Sequence, residues 1–156
     1  MYSKEIYNYA LMSVEKMGYK FETIEKKGII MVPNVKISEN TDETMRVGIQ
    51  VGKSDFTLFV PIFSLQKRSE IKVSEIIMMI NNRLASPEFL LFYEQKLVCC
   101  RMVGDVRQKM LLSDTSWSVL GMMFRTLGEN IKKYKSVIRA VDEGTLSPKE
   151  ALASIE

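Results

Sequence analysis

Met45-Arg46-Val47-Gly48-Ile49-Gln50-Val51, then Gly52-Lys53-Ser54-Asp55, then Phe56-Thr57-Leu58-Phe59-Val60-Pro61-Ile62-Phe63 is the stretch that decides the architecture. Met45, Val47, Ile49 and Val51 alternate with Arg46, Gly48 and Gln50, and a period of two sends alternate side chains to opposite faces of a β-strand. The polar group Gly52–Asp55 turns the chain between two such runs, so the whole reads as a hairpin. In the second run Phe56, Leu58, Val60 and Ile62 form the expected buried set. Thr57, Phe59, Pro61 and Phe63 occupy the opposite face, which is apolar for a surface that meets water. A helix or a partner must cover it, which makes Phe59 and Phe63 candidate partner-binding residues.

The segment Gly48–Ser54 imitates a phosphate-binding loop but fails twice. Three residues separate its glycines where that loop needs four, and a strand follows the lysine where a helix N-terminus must receive the phosphate.

Outward from the hairpin, Ser3 caps a first helix running to about Met17, with Ile6, Tyr9, Ala10, Val14 and Met17 on one face and Gly18 as its stop. Tyr19–Glu25 and Ile29–Val35 form another hairpin around Lys26-Lys27-Gly28. Pro33 pushes the latter strand towards an edge, because proline cannot donate to a ladder. Ser74-Glu75 opens a second helix ending before Pro87. Phe89–Tyr93 and Leu97–Val103 make a third hairpin. Ser113 or Asp114 caps a long helix to about Glu143, stopped by Gly144. Ser147-Pro148-Lys149-Glu150 is a capping box for a short tail helix. The expected fold is α+β, an antiparallel sheet with helices packed on it in the order α-β-β-β-β-α-β-β-α plus the tail. One domain spans residues 1–144, with the tail helix in 145–156.

Composition narrows the chemistry. The chain of 156 residues is 46% hydrophobic and 26% charged, which matches an ordinary globular domain. No apolar run approaches the roughly 20 residues of a membrane span. Lys4 and Glu5 break the apolar core that a signal peptide needs, so the cytoplasm is the expected compartment. Histidine is absent altogether. That removes the commonest metal ligand and the commonest general base near neutral pH, so neither a metal nor a cofactor nor enzymatic activity is expected. Cys99 and Cys100 lack a histidine to generate thiolate. As neighbours they read as free thiols of a reducing compartment, one facing in and one out, with a vicinal redox switch as the alternative.

The long helix carries the most regular pattern. Trp117, Leu120, Phe124, Leu127, Ile131, Tyr134, Ile138 and Val141 alternate spacings of three and four, a heptad seam. Gly121 and Gly128 flank it and permit close backbone approach at a cost of about 1 kcal/mol each relative to alanine. Some 29 helical residues span about 43 Å, whereas a seven-residue strand spans about 23 Å. Unless the helix crosses the sheet diagonally, Ile131, Tyr134, Ile138 and Val141 overrun it and need another cover, either the tail helix through Leu146, Leu152 and Ile155 or a second subunit. They join Phe59 and Phe63 as candidate partner-binding residues. Net charge is only +3, but the basic excess concentrates in residues 96–139. Lys132, Lys133, Lys135 and Arg139 on the helix suit either solvent or phosphates.

The segment Ile80-Asn81-Asn82-Arg83-Leu84, then Glu88 through Arg101, followed by the long helix, resembles the YbjN-like family of small bacterial domains. The opening helix and Gly18-Tyr19-Lys20-Phe21-Glu22 fit as well, so the likeness reaches about Tyr134. It implies a fold shared with type III secretion chaperones and a non-enzymatic, dimeric binding protein of the bacterial cytoplasm, described as a regulator of sensory transduction. A sequence pI near 8.8 departs from the acidic secretion chaperones, and the acidic tail after Gly144 lies outside the family pattern. The expectation is therefore a protein-binding module, paired with itself or a client. The alternative is a nucleic-acid-associated regulator using the basic helix face. An enzyme with an unfamiliar site comes third.

Overall fold

Both halves of the Met45–Phe63 run are strands, and the rest of the chain is built around them. A computed structural model describes residues 1–105 and 117–156. It contains α1 (Lys4–Lys16), β1 (Glu22–Ile24), a 3-10 turn, β2 (Ile29–Lys36), β3 (Thr44–Val51), β4 (Asp55–Ser64), α2 (Glu70–Asn81), β5 (Glu88–Phe92), β6 (Leu97–Asp105), α3 (Trp117–Glu143) and α4 (Pro148–Ala153). The strands form one antiparallel six-stranded sheet in the order β1-β2-β3-β4-β6-β5. The α+β class and element order expected from the sequence are the observed ones. The proposed cap of the long helix at Ser113 or Asp114 lies outside the described residues.

Local signals act where they stand. The Ser3 hydroxyl accepts the Ile6 N–H at the start of α1. Gly18 and Gly144 take the left-handed conformation, φ 78° and 77°, that ends a helix cheaply only at glycine. Ser147 and Glu150 close the capping box of α4, with bonds of 3.2 and 3.0 Å. Gly52 donates its N–H to the Asp55 carbonyl at 2.8 Å, so the phosphate-loop imitation is a hairpin turn. Pro33 falls within an irregular stretch of the β2–β3 ladder, between Val32 and Val35, and beyond the reach of the short β1.

Two expectations need correction. Helix α2 starts at Glu70, not Ser74, with Ser69 as its N-cap, and the segment that enters it is held from far along the chain. Asp142, only 1% exposed, accepts the Ser69 hydroxyl at 2.5 Å and the Gln66 N–H at 3.1 Å, so α3 anchors the entry to α2. The second correction concerns Ile62 and Phe63. The β4–β6 register shifts between Pro61 and Phe63, and a bulge of one residue exchanges the faces beyond it. Phe63 therefore turns into the core at 7% exposure, and Ile62 is only partly buried.

The helices cover one face of the sheet, where Ile30, Val47, Ile49, Phe56, Leu58 and Phe89 are fully enclosed. Helix α3 lies against α1, α2, α4, β4 and β6. It crosses the strands instead of following one. A Cβ on Gly128 would stand 2.1 Å from the Ile37 carbonyl oxygen just past β2, while the Tyr134 ring meets Phe89 of β5 edge-on at 5.7 Å. Farther on, the Arg139 guanidinium sits 4.2 Å over the Phe63 ring.

Helices α2 and α4 close over the last turns of α3. Ala151 and Leu152 are buried there, with Leu146 and Ile155 packed at the margin. Asn81 ties the end of α2 to β5 by exchanging two hydrogen bonds with the Phe89 backbone, at 2.9 and 2.8 Å.

The two glycines of α3 should respond oppositely to alanine. At Gly128 the new methyl meets fixed backbone, and overpacking costs about 1–3 kcal/mol, more than helix propensity returns. At Gly121 the nearest atom is the Met17 sulfur at 3.3 Å, the end of a flexible side chain. Urea unfolding should show Gly128→Ala destabilised and Gly121→Ala neutral or stabilised by up to about 1 kcal/mol.

Candidate protein-binding surface

The sequence placed six candidate partner-binding residues on two elements, and the structure separates them. Ile131, Tyr134, Ile138 and Val141 are at most 3% exposed. They are core, because the diagonal run of α3 and the cover of α2 and α4 leave no overrun to be met by another chain. Phe63 is core for the reason given above. Phe59 alone remains on the face that no described helix covers, half-buried in the middle of β4.

Strand register shows what surrounds it. One row crosses all six strands as Glu22, Met31, Gly48, Phe59, Arg101 and Glu88. A neighbouring row runs Ile24, Ile29, Gln50, Thr57 and Val103, and a third holds Pro61, Cys99 and Leu90. The centre of this face is apolar and carries no lysine. Charge surrounds it: Glu22 on β1, Arg46 two residues from Gly48 on β3, the paired Asp55 and Asp105 at the strand ends, and on the far side Arg101, whose Nε donates to Glu88 Oε1 at 2.6 Å. Ile24 and Val103 are 48% and 55% exposed. Beside Phe59 the missing side chain of Gly48 leaves an apolar hollow of about 230 Å³, walled by Ile29, Met31, Gln50 and Pro61. Alternation made this face visible in the sequence, but the hollow needs the cross-strand pairing of Gly48 with Phe59, which sequence reasoning missed.

The basic helix face is partly committed within the chain. Lys135 pairs with Glu43 at 2.9 Å, Arg139 rests on Phe63, and Lys133 lies 5.2 Å over the Tyr134 ring. A larger cleft of about 420 Å³ opens between the end of α1, the exit of β2 and α3, with Tyr19, Ile37, Phe124 and Arg125 among its walls. Its size exceeds that of the hollow, but Lys36, Glu39 and Arg125 give it mixed charge and no converging set of catalytic groups. No group of three or more His, Cys, Asp or Glu side chains suited to a metal occurs among the described residues, and no helix among them is long and apolar enough to cross a membrane.

Both cysteines are free and buried, Cys100 in the core and Cys99 on the opposite face between Pro61 and Leu90. Burial pushes the Cys100 thiol up to about 12 and raises that of Cys99 as well. The thiolate needed for redox exchange is thereby disfavoured. Neither a family model nor a curated protein matches the chain.

Ellman's reagent at pH 8 should label neither thiol in the folded protein and both in urea. Rapid labelling of the native chain would restore the redox-switch reading.

Proposed function

We propose that the chain is a non-enzymatic protein-binding module that docks a protein partner on the helix-free face of its sheet. The observation that carries this reading is the largely apolar band around Phe59, flanked by Ile24 and Val103 at about half exposure and rimmed by Glu22, Arg46, Arg101 and Glu88. A face of this kind matches the usual interface plan of an apolar centre with a polar rim. Soluble monomers rarely leave such contiguous apolar surface uncovered. The reading agrees with the binding role that the YbjN-like resemblance implies, but drops the long helix from the expected surface and keeps the sheet face. The nucleic-acid alternative loses support, because three of its four basic side chains already have partners within the chain and no stacking aromatic stands free among them.

A photoreactive benzoylphenylalanine in place of Ile24 or Val103 tests the location. Irradiation should give protein adducts at these two positions and few at Ile71 or Met122, which are exposed on helices at 83% and 66%. Adducts absent from the sheet face, or equally frequent on the helices, would contradict the proposal.

A further inference from the structure

Resting on that reading of the open sheet face, we infer that its occupant is a second copy of this chain, packed sheet to sheet about a two-fold axis. The clue is that a knob and a hole stand side by side. Phe59 on β4 and the hollow over Gly48 on β3 are directly paired neighbours in one row. A two-fold axis parallel to the strands and midway between β3 and β4 lays β3 over the partner's β4, β2 over its β6 and β1 over its β5, since the order is β1-β2-β3-β4-β6-β5. Phe59 of each copy then enters the Gly48 hollow of the other. A self-complementary patch is what a two-fold interface demands.

The neighbouring rows agree. Ile29 falls over the partner's Val103, Gln50 over the partner's Thr57, and Met31 over the aliphatic stem of the partner's Arg101. The one like-charged superposition is Glu22 over the partner's Glu88, and Glu88 is already held by Arg101. Arg46, exposed and outward on β3, falls over the partner's Pro61 at the margin of the knob-and-hole row, where its guanidinium can reach solvent.

Area is sufficient. The four central strands, of 8, 8, 10 and 9 residues, rise about 3.3 Å per residue at a spacing of about 4.8 Å and so present roughly 550 Å² in projection per copy. The total of roughly 1,100 Å² clears the approximately 1,000 Å² that a specific interface needs. Sheets packed in this way lie about 10 Å apart and about 30° from alignment. That angle swings the outer strands β1 and β5 away and leaves the contact to the four central ones.

Sedimentation velocity from about 1 to 300 µM tests the inference on the full chain. Wild type should reach twice its mass of 17.9 kDa. Gly48→Trp, which fills the hollow, and Phe59→Ala, which removes the knob, should each raise the dissociation constant about 30-fold or more, the effect of a central anchor. Circular dichroism should be unchanged. If Gly48→Trp fails to fold, a mixture of Gln50→Cys and Thr57→Cys chains gives the answer instead. Mild oxidation should join them across the interface, whereas Met122→Cys chains should stay single.

A wild type that is monomeric throughout would overturn the second copy. Docking on the sheet would still stand if Val103 adducts then contained a different protein. A dimer that survives both substitutions and leaves the Cys pair unjoined would overturn the inference. Should sheet-face adducts also be missing, the functional reading falls with it.

Discussion

The burial of the α3 seam is the constraint on which the rest of this structure depends. A 27-residue helix with an apolar side chain at every three or four positions cannot remain uncovered in water, since each buried Leu, Ile or Phe is worth about 1.5–3 kcal/mol. The chain satisfies it with its own parts. Gly128 lets the helix backbone touch Ile37, which sets the depth and angle of the crossing. The crossing brings Tyr134 to Phe89 and Asp142 to the entry of α2, and α2 with α4 then encloses Ile138 and Val141. Asp142 shows the same economy from the polar side. Two donors from a distant segment compensate its burial, and leaving it unpaired would cost several kcal/mol.

Placing the helices on one face of the sheet leaves the other without a helix among the described residues. Antiparallel sheets tolerate one solvated face, and their strands then alternate apolar and polar residues. Here the alternation is incomplete, because Ile29, Met31, Phe59, Pro61 and Val103 occupy outward positions. The binding surface is thus the complement of the core. What the long helix would have needed from a partner it finds within the chain, and what remains for a partner is the other side of the sheet.

How much of this was legible depends on the range of the interaction responsible. Strand alternation around Met45–Phe63, the Ser3 and Ser147 caps, and the glycine stops are encoded within a few residues and were read correctly. The face exchange at Phe63 was not, since it arises where Pro61 interrupts the ladder and a bulge absorbs one residue. The start of α2 was missed because the carboxylate that holds its entry at Gln66 and Ser69 lies more than 70 positions away. The seam was recognised, but its cover depends on the crossing angle, and that follows from a contact between Gly128 and a loop carbonyl. The same limit hid the Gly48 hollow, which exists only once β3 and β4 are paired.

The central claim, that the helix seam is interior and the sheet face is surface, is tested most directly by urea unfolding of two variants side by side at submicromolar concentration. Ile138→Ala should lose about 2–5 kcal/mol, the cost of a cavity in a packed core. Val103→Glu should unfold within about 0.5 kcal/mol of wild type, as an exposed position does. A tolerant Ile138→Ala together with a severely destabilised Val103→Glu would reverse the two faces and contradict the account.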